Sequence, residues 1–117
     1  MTEYTPVLAE LMRVIQDRKA HPPARSYTTS LFQGGVPTIG AKLLEEAQEV
    51  IEAAEAATDD EGREHLAHEA ADLIYHLLVM LGHCEVELSA VESTLAARFG
   101  VSGLDEKASR APRTPPE

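Results

Sequence analysis

Two runs of carboxylates are set into apolar sequence that repeats every three or four residues, a pattern that only helices satisfy. The first run is Glu45-Glu46-Ala47-Gln48-Glu49, and the second is Glu69-Ala70-Ala71-Asp72. Around the first, Leu43, Leu44, Ala47, Val50, Ile51 and Ala54 recur as a helical stripe. Around the second, Leu66, Ala70, Leu73, Leu77 and Leu81 do the same. Strands would require alternation at a period of two. Two Phe, three Tyr and no Trp give a β-sandwich or barrel little to pack with, whereas Ala, Leu and Glu favour helices. The expected fold class is all-α, with four helices.

Val7, Leu8, Leu11, Met12 and Ile15 mark a first helix over residues 6–19, with Pro6 suited to its first turn. His21-Pro22-Pro23 ends it and begins an extended loop. A short helix is expected around residues 29–33, closed by Gly34-Gly35, and Pro37 suits the start of a second long helix. The third helix spans residues 61–83. Ile74, Leu78, Val79 and Met80 widen its apolar arc, so it is expected to be buried on several sides. In a chain of 117 residues, that argues for a dimer. Ser89-Ala90-Val91-Glu92 reads as a capping box opening a fourth helix, with Val91, Leu95 and Phe99 on one side and Gly100 as its stop. One domain is expected over residues 1–110, followed by a disordered tail over 111–117.

The formal net charge of -10 repels nucleic acid. Cys84, the sole cysteine, permits no intrachain disulfide and no cysteine-based zinc site, and it is expected to be a buried or partly buried thiol. The longest apolar run, Leu77 to Leu81, is too short to span a bilayer, and no signal peptide is evident. The expectation is a cytoplasmic protein without a membrane partner.

A helix advances about 100° per residue, so side chains three apart fall on neighbouring lines. Glu46 and Glu49 share a stripe with Lys42; Glu69 and Asp72 share one with His65 and His76. Antiparallel packing of the two helices through their apolar faces brings the four carboxylates together. Carboxylates so placed repel unless a cation neutralises them. Mg²⁺, which takes oxygen ligands and keeps waters and substrate phosphates, suits such a set. The same residues also have a plain reading as solvated glutamates. Other metals fit worse. His68-Glu69-Ala70-Ala71-Asp72 has Asp where a zinc-protease helix has its second His, and no His has a Glu three residues before it, as a di-iron bundle requires.

The acidic pattern resembles the all-α nucleotide pyrophosphatases of the MazG type and, within them, the phosphoribosyl-ATP pyrophosphatase family. The resemblance runs from Val7 to about Arg110. It is carried by Ser26-Tyr27-Thr28, by Lys42 ahead of Glu45-Glu46, by the run from Glu69 through Asp72-Leu73-Ile74-Tyr75-His76 to Leu78, and by Ser102 to Arg110. It implies a four-helix MazG-like bundle completed by dimerisation, as a homodimer or higher homo-oligomer with sites between helices. It also implies Mg²⁺-dependent hydrolysis of phosphoribosyl-ATP, a small-molecule nucleotide substrate, to phosphoribosyl-AMP and pyrophosphate in histidine biosynthesis. The family commonly has Gly where this chain has Leu44, which implies slightly wider helix packing there.

Under that resemblance Glu46, Glu49, Glu69 and Asp72 hold the metal. Glu45 orients or deprotonates the attacking water, or completes the metal shell. Lys42 either contacts phosphate or forms an intrahelical salt bridge with Glu45 or Glu46. Ser26, Tyr27, Thr28, His76, Lys107 and Arg110 are candidate substrate contacts; His76 can equally be a packed, hydrogen-bonded residue, and Thr28 a helix cap. The rival functions are a house-cleaning nucleoside triphosphate pyrophosphatase of the same superfamily and a non-catalytic helical interaction module.

Overall fold

The computed structural model describes residues 6–100, and all of its regular structure is helical. The order is α1 (Val7–Ala20), α2 (Tyr27–Glu55), α3 (Asp60–His83) and α4 (Leu88–Phe99). The chain divides into two compact units, with the boundary between Val86 and Glu87. The first unit holds α1, α2 and α3, and the second holds α4. Among the described residues no single helix is long and apolar enough to cross a membrane. Lys107 and Arg110, with the expected tail, lie outside the described residues.

Helix α2 is two helical arms joined at a break. Gly35 has φ 71° and ψ -163°, a conformation open essentially to glycine alone. Pro37 follows where it needs no helical N–H partner. The break between short and long helix is therefore where the Gly-Gly-x-Pro signal put it, but the short arm starts at Tyr27, earlier than expected. Ser26 is the reason: its side chain accepts a hydrogen bond from the Thr29 N–H and caps the arm. Thr28 is not the cap.

The two arms run in opposite directions along α3. In the first arm, Tyr27 reaches His76 and Phe32 stacks on His83. A Cβ at Gly35 would stand 3.9 Å from His83 Nε2, so the turn sits at the C-terminal end of α3. The second arm then climbs back, with Gly40 beside Met80 and Glu46 bonded to His76. Both arms thus arrive at the same imidazole from opposite directions.

Helix α1 closes the first unit by packing on α3 and α2. Met12 and Ile15 are its buried residues. A Cβ at Gly82 would stand 3.2 Å from the Ile15 methyl, so glycine permits the close crossing. Beyond it α3 ends in a Schellman turn: the Val86 N–H donates to the Leu81 carbonyl and the Glu85 N–H to that of Gly82, with Glu85 left-handed at φ 60°. Lys19 of α1 donates to the Gly82 and His83 carbonyls, both at 3.1 Å, and pairs with Glu85 at 3.3 Å. One ammonium so caps the last turn of α3, bonding the His83 carbonyl and adding a second donor to that of Gly82.

The inward faces of α2 and α3 differ from the expected stripes. In the second arm Ile39, Glu46 and Ala53 are buried, while Leu44 is 76 % and Ile51 53 % exposed, with Ala54 exposed as well. In α3 the buried set is His76, Leu78, Val79 and Gly82; Leu77 is exposed. Leu44 points away from the seam, so it does not widen the packing of α2 on α3. Two local expectations also fail. Glu87, not Ser89, is the N-cap of α4, and no side-chain cap forms there, because the helix starts at Leu88 and takes Ser89 into its first turn. Cys84 is exposed, since it caps α3 at a surface turn. Gly100 ends α4 as expected, in the left-handed conformation.

A Cβ at position 35 forces a conformation that L-residues avoid. Gly35→Ala should lower unfolding stability by about 1–3 kcal/mol, measured by urea denaturation followed by circular dichroism. An unchanged midpoint would show that the turn can be made another way.

Candidate active site

The site lies where the start of the first arm meets the second arm and the middle of α3. His76 is at its centre, only 5 % exposed. Its Nδ1 lies 2.9 Å from Glu46 Oε1 and 3.0 Å from the Asp72 carbonyl oxygen. Both partners only accept, so the ring proton sits on Nδ1. In the neutral ring Nε2 then accepts from the Tyr27 hydroxyl at 2.8 Å. Tyr75 and Tyr27 stand edge-on to the ring, with centroids at 4.9 Å and 5.7 Å, and fix its plane. Thr28, 6 % exposed, bonds the Tyr75 hydroxyl. The apolar pattern could not reveal this buried polar network, because hydrophobic periodicity assigns Glu and His to the surface.

Glu46 is 7 % exposed, and its Oε1 is held by His76. One turn on, Glu49 is half-buried. Desolvation pushes its carboxyl above the usual range, and the neighbouring Glu69, Glu45 and Glu46 carboxyls push it the same way. Glu69 is mostly buried; its Oε1 has no hydrogen-bond partner, and its Oε2 lies 3.5 Å from His65 Nε2. Asp72 is partly exposed, 3.9 Å from His68 Nε2. Glu49 and Glu69 therefore meet across the seam while the Asp72 carboxylate faces His68, and among the described residues no three His, Cys, Asp or Glu side chains are grouped so as to hold a metal ion.

Lys42 donates to Glu45 at 2.9 Å, the intrahelical pair that its spacing allows, and this hydrogen bond raises the lysine pKa above its usual value. Its charge also acts on Tyr27, lowering a phenol pKa that burial raises more strongly. Lys42, Glu45 and Tyr27 therefore share the rim of the site.

Of the expected site residues, the fold brings together Tyr27, Thr28, Lys42, Glu45, Glu46, Glu49, Glu69 and His76, whereas Asp72 joins them through its backbone carbonyl and turns its carboxylate to His68. Ser26 and Thr28 already have structural partners. His76 has both ring nitrogens engaged and is buried, so it is the packed alternative rather than a surface for substrate. Tyr75 was not singled out as a site residue; the signal that could have found it is its place beside His76, where a buried hydroxyl needs a partner.

A family model described as phosphoribosyl-ATP pyrophosphohydrolase matches residues 8–99. Proteins named phosphoribosyl-ATP pyrophosphatase are similar over nearly the whole chain. The one from Rhodopirellula baltica is 50 % identical over 103 residues, covering 88 % of this chain and 85 % of its own. That from Paramagnetospirillum magneticum is 45 % identical, covering 95 % and 98 % respectively. That from Geotalea daltonii is 43 % identical, covering 89 % and 94 %. The chain belongs to the phosphoribosyl-ATP pyrophosphohydrolase family.

The two adjacent glutamates of α2 should respond differently to truncation. Glu46→Ala removes a buried, charge-assisted hydrogen bond and should cost about 1.5–3 kcal/mol of stability. Glu45→Ala removes an exposed ion pair and should change stability by less than about 1 kcal/mol. Equal losses in chemical denaturation would show that Glu46 is not held as described.

Proposed function

We propose that this member of the phosphoribosyl-ATP pyrophosphohydrolase family hydrolyses phosphoribosyl-ATP to phosphoribosyl-AMP and pyrophosphate, as a step of histidine biosynthesis. The observation that carries the reading is the meeting of Glu49 with Glu69 across the α2–α3 seam. Burial and the Glu69 carboxyl beside it push the Glu49 carboxyl above its usual range, and no N–H or hydroxyl group of the described residues bonds Glu69 Oε1. Negative charge so concentrated suits a hard cation better than solvent.

Mg²⁺ fits these donors because it needs only one or two protein carboxylates, the rest of its shell being water and substrate phosphate. Glu49 and Glu69 would hold it, with Glu46 and Asp72 as flanking ligands. When bound, it supplies positive charge for the triphosphate oxygens and for the departing pyrophosphate. Lys42 offers its ammonium to the phosphates from the rim, and Tyr27 borders the same opening. Lys107 and Arg110 are assigned to phosphate as well. Glu45, exposed and one residue from the seam, takes the proton of the attacking water. The water oxygen bonds to the α-phosphorus, and the bond to the bridging oxygen breaks. Pyrophosphate leaves with that electron pair.

The assembly in this reading is a homodimer or higher homo-oligomer. At about 100° per residue, Ala47, Ile51 and Ala54 of α2 fall on the same side of the antiparallel pair as Ala70, Leu73 and Leu77 of α3. Ile51 and Leu77 are 53 % and 46 % exposed, and Leu44 beside them 76 %. A second copy would cover this flank.

Pyrophosphate release from phosphoribosyl-ATP should require Mg²⁺ and should exceed release from dUTP, dCTP and dITP; preference for a deoxynucleotide would favour the house-cleaning role. No metal-dependent release from any of them would leave only an interaction module. Glu49→Gln or Glu69→Gln should lower kcat/KM about 100-fold or more with helical circular dichroism retained. For the assembly, Leu44→Glu combined with Ile51→Glu should reduce the mass in sedimentation to that of one chain; an unchanged oligomer would place the interface elsewhere.

A further inference from the structure

We infer that His76 is a positioning residue, whose imidazole joins the Tyr27 hydroxyl and the Glu46 carboxylate in one hydrogen-bonded chain. The acidic seam and the start of the first arm are thereby held in a single relative placement. In its kinetic consequence this rests on the proposed hydrolysis, since Glu46 flanks the carboxylates assigned to the metal.

Three observations carry it. First, the ring is buried and both nitrogens are used: Nδ1–H toward Glu46 and Nε2 toward Tyr27. An imidazole with no free edge serves its neighbours rather than a ligand. Second, the ring cannot turn. The Asp72 carbonyl holds Nδ1 a second time, and the Tyr27 and Tyr75 rings stand nearly perpendicular to it, at 89° and 76°. Third, its two side-chain partners lie in the two arms of α2, on either side of the Gly35 turn. The first arm has another side-chain bond to α3, from Thr28 to Tyr75, but among the described residues only His76 is bonded to both arms. A hydrogen bond to a carboxylate that flanks a metal sets which way that carboxylate faces, and removing such a partner commonly costs about 10- to 100-fold in metal affinity or activity.

The chemistry of the ring supplies its own controls. In a helix, an Asn amide stands close to where Nδ1 stands, and a Gln amide reaches toward the place of Nε2. His76→Asn therefore keeps the hold on Glu46 and gives up Tyr27; His76→Gln does the reverse; His76→Leu loses both. Relative to the parent, His76→Leu should lower kcat about 10- to 100-fold with little change in KM for phosphoribosyl-ATP. His76→Asn should recover most of that loss and His76→Gln little of it. Equal activity of Asn and Gln variants, or full activity of the Leu variant, would overturn the assignment.

A second measurement needs neither substrate nor metal. With ¹³C-labelled carboxyls, Tyr27→Phe should shift the Glu46 resonance in the parent but not in the His76→Gln protein, where the chain of bonds is cut. Long-range ¹H–¹⁵N spectra of the parent should place the ring proton on Nδ1. A Glu46 signal indifferent to Tyr27, or a proton found on Nε2 alone, would sink the proposal. Should the parent release no pyrophosphate at all, the hydrolysis reading fails by itself, and the resonance experiment still decides whether the ring couples the two arms.

Discussion

A carboxylate and an imidazole, both buried, face each other across the seam of α2 and α3, and the arrangement of the first unit follows from satisfying them. Burying Glu46 without a partner would be costly. His76 meets that demand with Nδ1–H, which leaves Nε2 as an acceptor that must itself find a donor. Tyr27 is that donor, and it can reach only because the chain reverses at Gly35. The polar network thus specifies register along the seam more narrowly than interchangeable aliphatic contacts around Ile39 and Val79 could.

The helices were legible in the sequence because their punctuation is local. Pro22-Pro23, Gly34-Gly35, Pro37 and Gly100 each act through their own backbone, and each marks a real boundary or break. What was not legible was which side of a helix faces inward. Apolar periodicity placed Leu44, Ile51 and Leu77 inside, yet within one chain these are exposed, because the inner positions of the seam are occupied partly by Glu46 and His76. A helix that is apolar over a wide arc and polar at the centre of its buried face defeats a rule that counts only hydrophobic residues. The direction taken after Gly35 was equally hidden, since a break fixes where the chain turns and not what it turns toward.

The candidate site shows the same division. The spacing of Glu46, Glu49, Glu69 and Asp72 put an acidic stripe on each of two helices, and those helices pack on each other. It did not distinguish among the four, and the fold does: Glu46 is held, Glu49 and Glu69 lie against each other, and Asp72 is partly exposed beside His68. Those differences arise from how far each position is turned into the seam, which depends on helix rotation and not on sequence spacing. Residues that looked like ligand contacts, Ser26 and Thr28 among them, hold the scaffold on which the others are presented.

The return of the first arm to His76 makes length itself a constraint. One residue inserted between Tyr27 and Gly35 would rotate the phenol about 100° around the helix axis and slide it about 1.5 Å. The turn between Glu55 and Asp60 lies beyond the seam and carries no bond to His76, so its length does not bear on the placement of the phenol.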